Sequence, residues 1–370
     1  MSQPRRVALL LNAPGGGGLS RMVLALAQAL AAHGCQVDLV VDCRRGKSYL
    51  KTLPAPLRLV SLECPIRGGT LASLRLLPAL IRYLRRDRPT LLLCHLTLVN
   101  GAAALAQRFA PASRVVLVEH LPRPQPQRFS ARLARALHAW LYRQAGAVVA
   151  VSRDLAQDFS QQLRLAPGAV RTIYNPIVSP QLLELAAANP DHPWLQPGEP
   201  PVILAIGRLV GQKDFATLLQ AVEILGSWRS LRLLILGDGP QRAELLALAE
   251  QLGIAARVAL PGYVENPYAY LQRAAVLALS SRFEGLPTVL IEALACGCQV
   301  VATDCPHGPR EILAGGRYGR LVPVGDALSL ATALRQALLE PIAPEALRAR
   351  AQDFSVAAAV THYLALAEDG

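Results

Sequence analysis

The residues best suited to chemistry sit in the second half of the chain, in three segments that each follow a strand-like apolar run. The first is Gly207-Arg208-Leu209-Val210-Gly211-Gln212-Lys213, directly after Val202–Ile206. Two cations on a glycine-containing loop can clamp a diphosphate without a metal, because guanidinium and ammonium groups bond phosphate oxygens with charge assistance. Taken alone, the pair would serve equally well as surface charge near a helix start. The second segment is Gly237-Asp238-Gly239-Pro240, with Gly262-Tyr263-Val264-Glu265-Asn266-Pro267 one strand later. Gly-Pro and Asn-Pro turns account for both as punctuation. The position of Tyr263 and Val264 at a strand end makes them a candidate wall for a nucleotide base. The third is Ser280-Ser281-Arg282-Phe283-Glu284-Gly285-Leu286-Pro287, leading into a helix that Gly297 should stop. The free amides from Gly285 to Thr288 and the positive end of that helix favour an anion. Glu284 precedes this terminus and Glu292 lies about one turn inside, so both can border one pocket, where carboxylates accept hydrogen bonds from sugar hydroxyls. Glu292 in the apolar run VLIEALAC needs a partner, either a ribose hydroxyl pair or a structural group.

A further loop, Pro14-Gly15-Gly16-Gly17-Gly18, follows the first strand and opens a helix, where backbone N–H groups can approach a phosphate or sugar. Dinucleotide binding stays open, since Asp42 ends the second strand, but Ser20 stands where the third glycine of that fingerprint belongs. A plain turn remains the alternative. Gly46-Lys47-Ser48 resembles the end of a nucleotide P-loop, but Val41 replaces its first glycine, which excludes that reading.

The elements that must position these residues alternate strand and helix. Strands are predicted at Arg6–Leu11, Gln36–Val41, Leu91–Cys94, Val115–Glu119 and Ala147–Val151, with helices over Leu19–His33, Leu71–Arg86 and Ser130–Gln144, and Pro78 bending or interrupting the second helix. The alternation restarts at Val202 and runs through Val300–Ala302. A chain of 370 residues suits two cores. The expectation is an α/β protein of two doubly wound parallel-sheet, Rossmann-like domains facing a central cleft: 1–180, a proline-rich linker 181–200, 201–352, and a terminal helix over 353–370 crossing back to the first domain.

Hydrophobic content of 52% comes without an uninterrupted apolar run long enough to span a bilayer, and Val7–Leu11 is too short for a signal core. Seven cysteines without CxxC pairs read as reduced structural thiols in the cytoplasm. The charge is uneven: +17 over residues 1–180 and −5 over the remainder. A basic first half implies a polyanionic neighbour. Arg75, Arg82 and Arg86 fall on one helical face, and Arg128, Arg132 and Arg135 line up beside Trp140, so an anionic membrane surface is one candidate partner and a solvated face the other. Nucleic acid has only the charge in its favour.

In order along the chain, GRLVGQKDF, LGDGP, GYVENPYAYL, SRFEGLPTVLIEALACGCQVVATDCPHGPREIL and GRYGRLVPVGD resemble the donor domain of family 4 retaining glycosyltransferases, which have the GT-B fold. In the first half the glycine loop, VEH at Val118–His120, VSRDL at Val151–Leu155 and IYNP at Ile173–Pro176 resemble the same family. The resemblance implies transfer of a hexose or N-acetylhexosamine from a nucleoside diphosphate sugar, UDP-linked in the family's commonest case, to a glycan or lipid-linked acceptor. Arg208 and Lys213 would neutralise the diphosphate, Glu284 would hold the sugar hydroxyls and Glu292 the ribose. Gly207, Gly285, Leu286 and Pro287 would line the donor, Gly16 and Gly17 would meet the diphosphate, and His120 would stand beside the reacting sugar. No DxD triplet occurs, so metal independence is expected, with no cofactor beyond the nucleotide-sugar co-substrate. Two enzyme classes rival this reading, of which the second shares the architecture. A nicotinamide-dependent dehydrogenase leaves Arg208, Lys213 and the two glutamates unexplained, and a sugar-nucleotide epimerase would change the donor without an acceptor.

Overall fold

Short runs rich in Val, Leu and Ile, apolar on both sides, make strands that need helices on both faces. The computed structural model of the chain describes residues 5–11, 18–42, 56–64, 72–95, 99–120, 130–166, 168–226 and 230–368; side chains at 18–21, 72–73 and 130–135 lie outside it. The chain divides into two compact units, 1–176 with 356–370, and 177–355.

The first unit holds β1 (Arg6–Leu11), α1 (Gly18–Ala32), β2 (Gln36–Val41), β3 (Arg58–Ser61), α2 (Leu77–Asp87), β4 (Leu91–Cys94), α3 (Asn100–Phe109), β5 (Arg114–Glu119), α4 (Ser130–Tyr142), β6 (Ala147–Ala150), α5 (Arg153–Leu163) and β7 (Val170–Thr172). Its sheet has the order β3-β2-β1-β4-β5-β6-β7, parallel throughout. Pro78 does not interrupt a helix; it sits in the first turn of α2, where its missing N–H costs nothing, and residues 72–76 form a separate 3-10 turn. Ser152 caps α5 by accepting from the Leu155 N–H. The terminal helix, the last element of the chain, packs against α1 within this unit.

The second unit contains α6 (Pro180–Ala186), β8 (Val202–Ile206), α7 (Phe215–Leu225), β9 (Arg232–Leu236), α8 (Arg242–Gln251), β10 (Val258–Gly262), α9 (Pro267–Arg273), β11 (Val276–Leu279), α10 (Thr288–Cys296), β12 (Gln299–Thr303), α11 (Pro309–Ile312), β13 (Arg320–Val322), α12 (Ala327–Leu339) and α13 (Pro344–Ala351), after which α14 (Val356–Ala365) rejoins the first unit. Its parallel sheet runs β10-β9-β8-β11-β12-β13. One core lies between the sheet and α7 and α12, around Ile203, Ile235, Leu218, Leu330 and Leu334.

The segment 181–200, expected to be a linker, is folded onto the second unit. Ser179 caps α6, Asn266 Nδ2 donates to Leu185 O at 2.8 Å, Arg273 donates to Asn189 Oδ1 at 2.7 Å, and Arg232 lies over the Trp194 ring at 5.0 Å. Polar and proline-rich composition is shared by free linkers and by segments that wrap a surface, and here tertiary contacts decide.

Candidate active site

Both sheets reverse their strand order at a switch point, between β1 and β4 in one and between β8 and β11 in the other. Loops leaving the carboxyl ends of strands at such a point diverge to opposite faces and leave a crevice. The loop after β8 carries Gly207, Arg208 and Lys213, and the loop after β11 carries residues 280–287.

These two loops are laced together. Lys213 Nζ lies 2.6 Å from Glu284 Oε1, with side chains 18% and 9% exposed. The Ser281 hydroxyl donates to the same oxygen at 2.6 Å, and the Ser281 carbonyl accepts from the Thr303 hydroxyl on β12 at 2.6 Å. Gln212 Nε2 donates to Phe283 O at 2.9 Å, the Arg282 N–H to Gln212 O at 2.8 Å, and the Ser280 hydroxyl to Lys213 O at 2.8 Å. Arg282 also pairs with buried Asp214 at 3.1 Å. Glu284 is thereby fixed through Oε1. Its Oε2 accepts no hydrogen bond among the described residues. Arg208, on the same loop as Lys213, is exposed and makes no ion pair among the described residues.

Pro287 is the N-cap of α10, one residue before the first-turn position expected, and Gly297 ends the helix with φ of 75°. Gly285, Leu286 and Pro287 form the turn into the helix. Gly308, at φ of 96°, packs so tightly on this turn that a Cβ there would collide with Pro287 Cδ. Glu292 is half-buried and partnered on α10, and its charge raises the Cys296 thiol, whose burial is the larger cause, to about 12. Among the described residues the cysteines at 35, 64, 296, 298 and 305 are free thiols.

The loops after β8, β9 and β10 are joined sideways. The Gly207 N–H donates to Leu236 O at 2.9 Å, Leu209 N–H to Asp238 O at 3.0 Å, and Gly237 N–H to Gly262 O at 2.8 Å. Tyr263, 73% exposed, and half-buried Val264 continue from the last of these. The GDGP segment is therefore more than a turn: it supports the backbone of the loop that carries both cations.

In the first unit His120 follows β5, half-buried, with Nε2 3.1 Å from His95 Nδ1. Burial pushes the His120 imidazole down to about 4. Gly16 and Gly17 lie outside the described residues. Among the residues that sequence reasoning did not single out, Ser281 and His95 bond side chains of the expected set, and Asp214 anchors Arg282 of the neighbouring loop. The only local signal was position: Ser281 stands three residues before Glu284, and His95 ends the strand beside that of His120.

Comparison with known proteins adds to this geometry. The family model described as "Glycosyl transferases group 1" matches residues 191–354, and "Glycosyltransferase Family 4" matches residues 16–179. The chain is 32% identical over 246 residues, 65% of this chain and 64% of the relative, to N-acetylgalactosamine-N,N'-diacetylbacillosaminyl-diphospho-undecaprenol 4-alpha-N-acetylgalactosaminyltransferase of Campylobacter jejuni. The match thus spans just under two thirds of that relative. It is 27% identical over 321 residues, 86% of this chain and 85% of the relative, to the lipopolysaccharide core biosynthesis glycosyltransferase LpsE of Rhizobium meliloti. Its fold is similar to that of Anabaena Alr3699/HepE solved in complex with UDP, with a TM-score of 0.73 at 19% identity over 99% of this chain and 100% of that one. Two abutting family models, two doubly wound sheets and a cation–carboxylate site at the switch point of the second lead to one assignment: the chain belongs to the family 4 glycosyltransferases of the GT-B fold.

Proposed function

We propose that the chain transfers a hexose or N-acetylhexosamine from a UDP-sugar to a glycan or lipid-linked glycan in cell-surface polysaccharide or glycolipid synthesis, with retention of the anomeric configuration and without a metal. The observation that carries this reading is the contact of Lys213 with Glu284 at the mouth of β8 and β11, with Arg208, exposed and in no ion pair among the described residues, on the same loop and the amino end of α10 close in sequence. A nucleoside diphosphate sugar needs cations and amides for its diphosphate and a carboxylate for its hydroxyls, and this site offers all three. Glu284 Oε2 is the acceptor left for a sugar hydroxyl. Glu292 takes the ribose hydroxyls, Gly207, Gly285, Leu286 and Pro287 line the donor, and Tyr263 and Val264 border the base. The lipid-linked acceptor is supported by the diphospho-undecaprenol substrate in the Campylobacter relative's name, and uridine by the UDP bound to the Anabaena neighbour.

In the proposed reaction the bond between the anomeric carbon and the diphosphate oxygen breaks, leaving positive charge on the sugar and negative charge on the diphosphate. Arg208, Lys213 and the α10 amides stabilise the latter. The acceptor hydroxyl forms the new bond on the same face, and its proton passes to the departing phosphate oxygen, so no side chain acts as a strong base. By resemblance, Gly16 and Gly17 would meet the diphosphate and His120 would meet the reacting sugar.

A thermal-shift panel of nucleotide sugars tests the reading, because a true donor at about 100 times its Kd stabilises the fold by about 2.7 kcal/mol. UDP-sugars should shift the melt and free sugars should not; a panel in which no nucleotide sugar shifts it rejects the proposal. In the corresponding transfer assay an excess of chelator should leave the rate unchanged, and the product should keep the donor's anomeric configuration. Abolition by chelator with rescue by a divalent ion would reject metal independence.

We also propose that the chain works peripherally at the cytoplasmic face of a membrane. Arg75, Arg82 and Arg86 are exposed, as is Leu74, although Arg86 is paired with Asp87 at 2.7 Å. Arg128 and the side chains of Arg132 and Arg135 lie outside the described residues. Among the described residues no helix is long and apolar enough to cross a membrane. Flotation with liposomes should rise with anionic lipid content and fall with salt; flotation indifferent to lipid charge would remove the idea.

A further inference from the structure

The ends of β4 and β5 lie side by side, and each is followed by a histidine: His95 after Cys94, His120 after Glu119. His95 is 2% exposed and its backbone N–H donates to Leu10 O at 3.1 Å. Tyr363 of α14 meets its ring edge-on, with centroids 6.3 Å apart. The sheet and the terminal helix of the first unit therefore hold this ring in place. His95 Nδ1 faces His120 Nε2 at 3.1 Å, while His95 Nε2 is buried with no hydrogen-bond partner among the described residues.

One proton lies between the two rings, and its owner follows from that orphaned nitrogen. Burial holds both imidazoles neutral, with His120 pushed down to about 4 and His95 well below the usual value. A neutral ring carries one N–H and one lone pair. If His120 Nε2 donated, the proton of His95 would sit on Nε2, leaving an N–H buried without an acceptor. If His95 Nδ1 donates, the buried Nε2 is a bare lone pair. Orphaned N–H groups are the rarer and costlier kind, so the second arrangement wins by on the order of tenfold or more. It leaves the His120 proton on Nδ1, which makes no hydrogen bond among the described residues.

The geometry points to His95 as a positioning residue that donates from Nδ1 to His120 Nε2 and so fixes His120 as an Nδ1–H donor, not a base, toward a hydroxyl oxygen of the donor sugar. This rests on the proposed placement of His120 beside the reacting sugar. There, a ring whose tautomer is set before substrate arrives loses nothing to reorientation in the transition state.

Nitrogen–proton correlation NMR of the intact chain with labelled histidine reads the tautomers without any substrate. Both His95 and His120 should carry their proton on Nδ1, and His120 should become a tautomer mixture in His95→Leu. In the transfer assay His95→Leu should lower kcat about tenfold or more. His95→Asn, whose amide nitrogen stands where Nδ1 stood, should recover most of that loss, with thermal melts confirming that both variants fold. A ring that merely fills space predicts the opposite order, since leucine suits an apolar cavity better than asparagine. An Nε2–H signal from His120 in the unaltered chain overturns the inference, as does His95→Leu with a kcat equal to that of His95→Asn. If His120→Ala transfers sugar at the full rate while the tautomers are as assigned, the proton placement stands and the proximity of His120 to the sugar is what falls.

Discussion

Replacing Lys213 with methionine should lower kcat by about 10²–10³-fold while the protein stays folded. The two effects can be weighed separately. Lys213 is bonded to Glu284 at 2.6 Å, so the substitution leaves a carboxylate short of one partner. A fully buried pair broken in this way costs about 3–5 kcal/mol, but Lys213 is 18% exposed at a loop and Glu284 keeps the Ser281 hydroxyl at 2.6 Å. A loss of about 1–2 kcal/mol is the better expectation, and a domain stable by about 5–15 kcal/mol survives it. Methionine keeps the stem that packs against Gly207, where Lys213 Cε stands 3.1 Å from the position a Cβ would take. What disappears is the charge proposed to meet the departing diphosphate, and one preorganised donor to a developing anion is worth about 2.7–4 kcal/mol in the transition state. Arg208→Ala provides the contrast. Because Arg208 is exposed and unpaired among the described residues, its removal should hardly move the melting midpoint and still slow turnover. Steady-state kinetics beside thermal melts on both variants decide the matter, and near-normal rates in both would remove the diphosphate clamp from the mechanism.

The position of this candidate site was legible in sequence because a parallel sheet forces it to be. Each functional loop follows a buried strand, and buried parallel strands are the easiest elements to see, as continuous apolar runs. Helix α10 was equally plain, its span of Thr288–Cys296 bracketed by Pro287 and Gly297. The edge strands β3, β7 and β13 escaped notice. They are three or four residues long, partly polar and paired on one side only, so they carry no periodicity strong enough to separate them from loop. Contacts between distant segments were beyond local reasoning altogether. Lys213 and Glu284 could be assigned to neighbouring loops, but their direct bond spans 71 residues of sequence. The pairing of His95 with His120 depends on β4 lying next to β5. Trp194 and Asn189 anchor a stretch whose composition alone read as a tether.

Gly237→Ala tests the least obvious of these long-range constraints, and it should act on stability and activity together. Gly237 has φ of 133°, a region closed to L side chains, and a Cβ there would fall inside the van der Waals envelope of Gly207 O. The atom it meets is backbone, held on one side by the bond from Gly207 N–H to Leu236 O at 2.9 Å, so it cannot swing away as a flexible side chain could. Backbone strain of this kind costs about 1–3 kcal/mol, and overpacking adds about 1–3 kcal/mol more. A total of roughly 2–6 kcal/mol lowers the melting midpoint of the second unit beyond the effect expected for Lys213→Met. The portion of the clash that is relieved must be relieved by moving Gly207, and with it the loop that aims Arg208 and Lys213. A misplacement of about 1 Å there is worth up to about 10²-fold in rate. Donor affinity and kcat should therefore fall even at temperatures where the variant is fully folded. Replacing Asp238 offers the control: among the described residues its carboxylate bonds only the N–H of Gly239, at 2.8 Å, so Asp238→Asn should leave both the melt and the rate near normal. If Gly237→Ala melts and transfers like the unaltered chain, the segment is a simple turn, and the cation loop draws its rigidity from its bonds to the 280–287 loop, the Arg282–Asp214 and Lys213–Glu284 pairs among them.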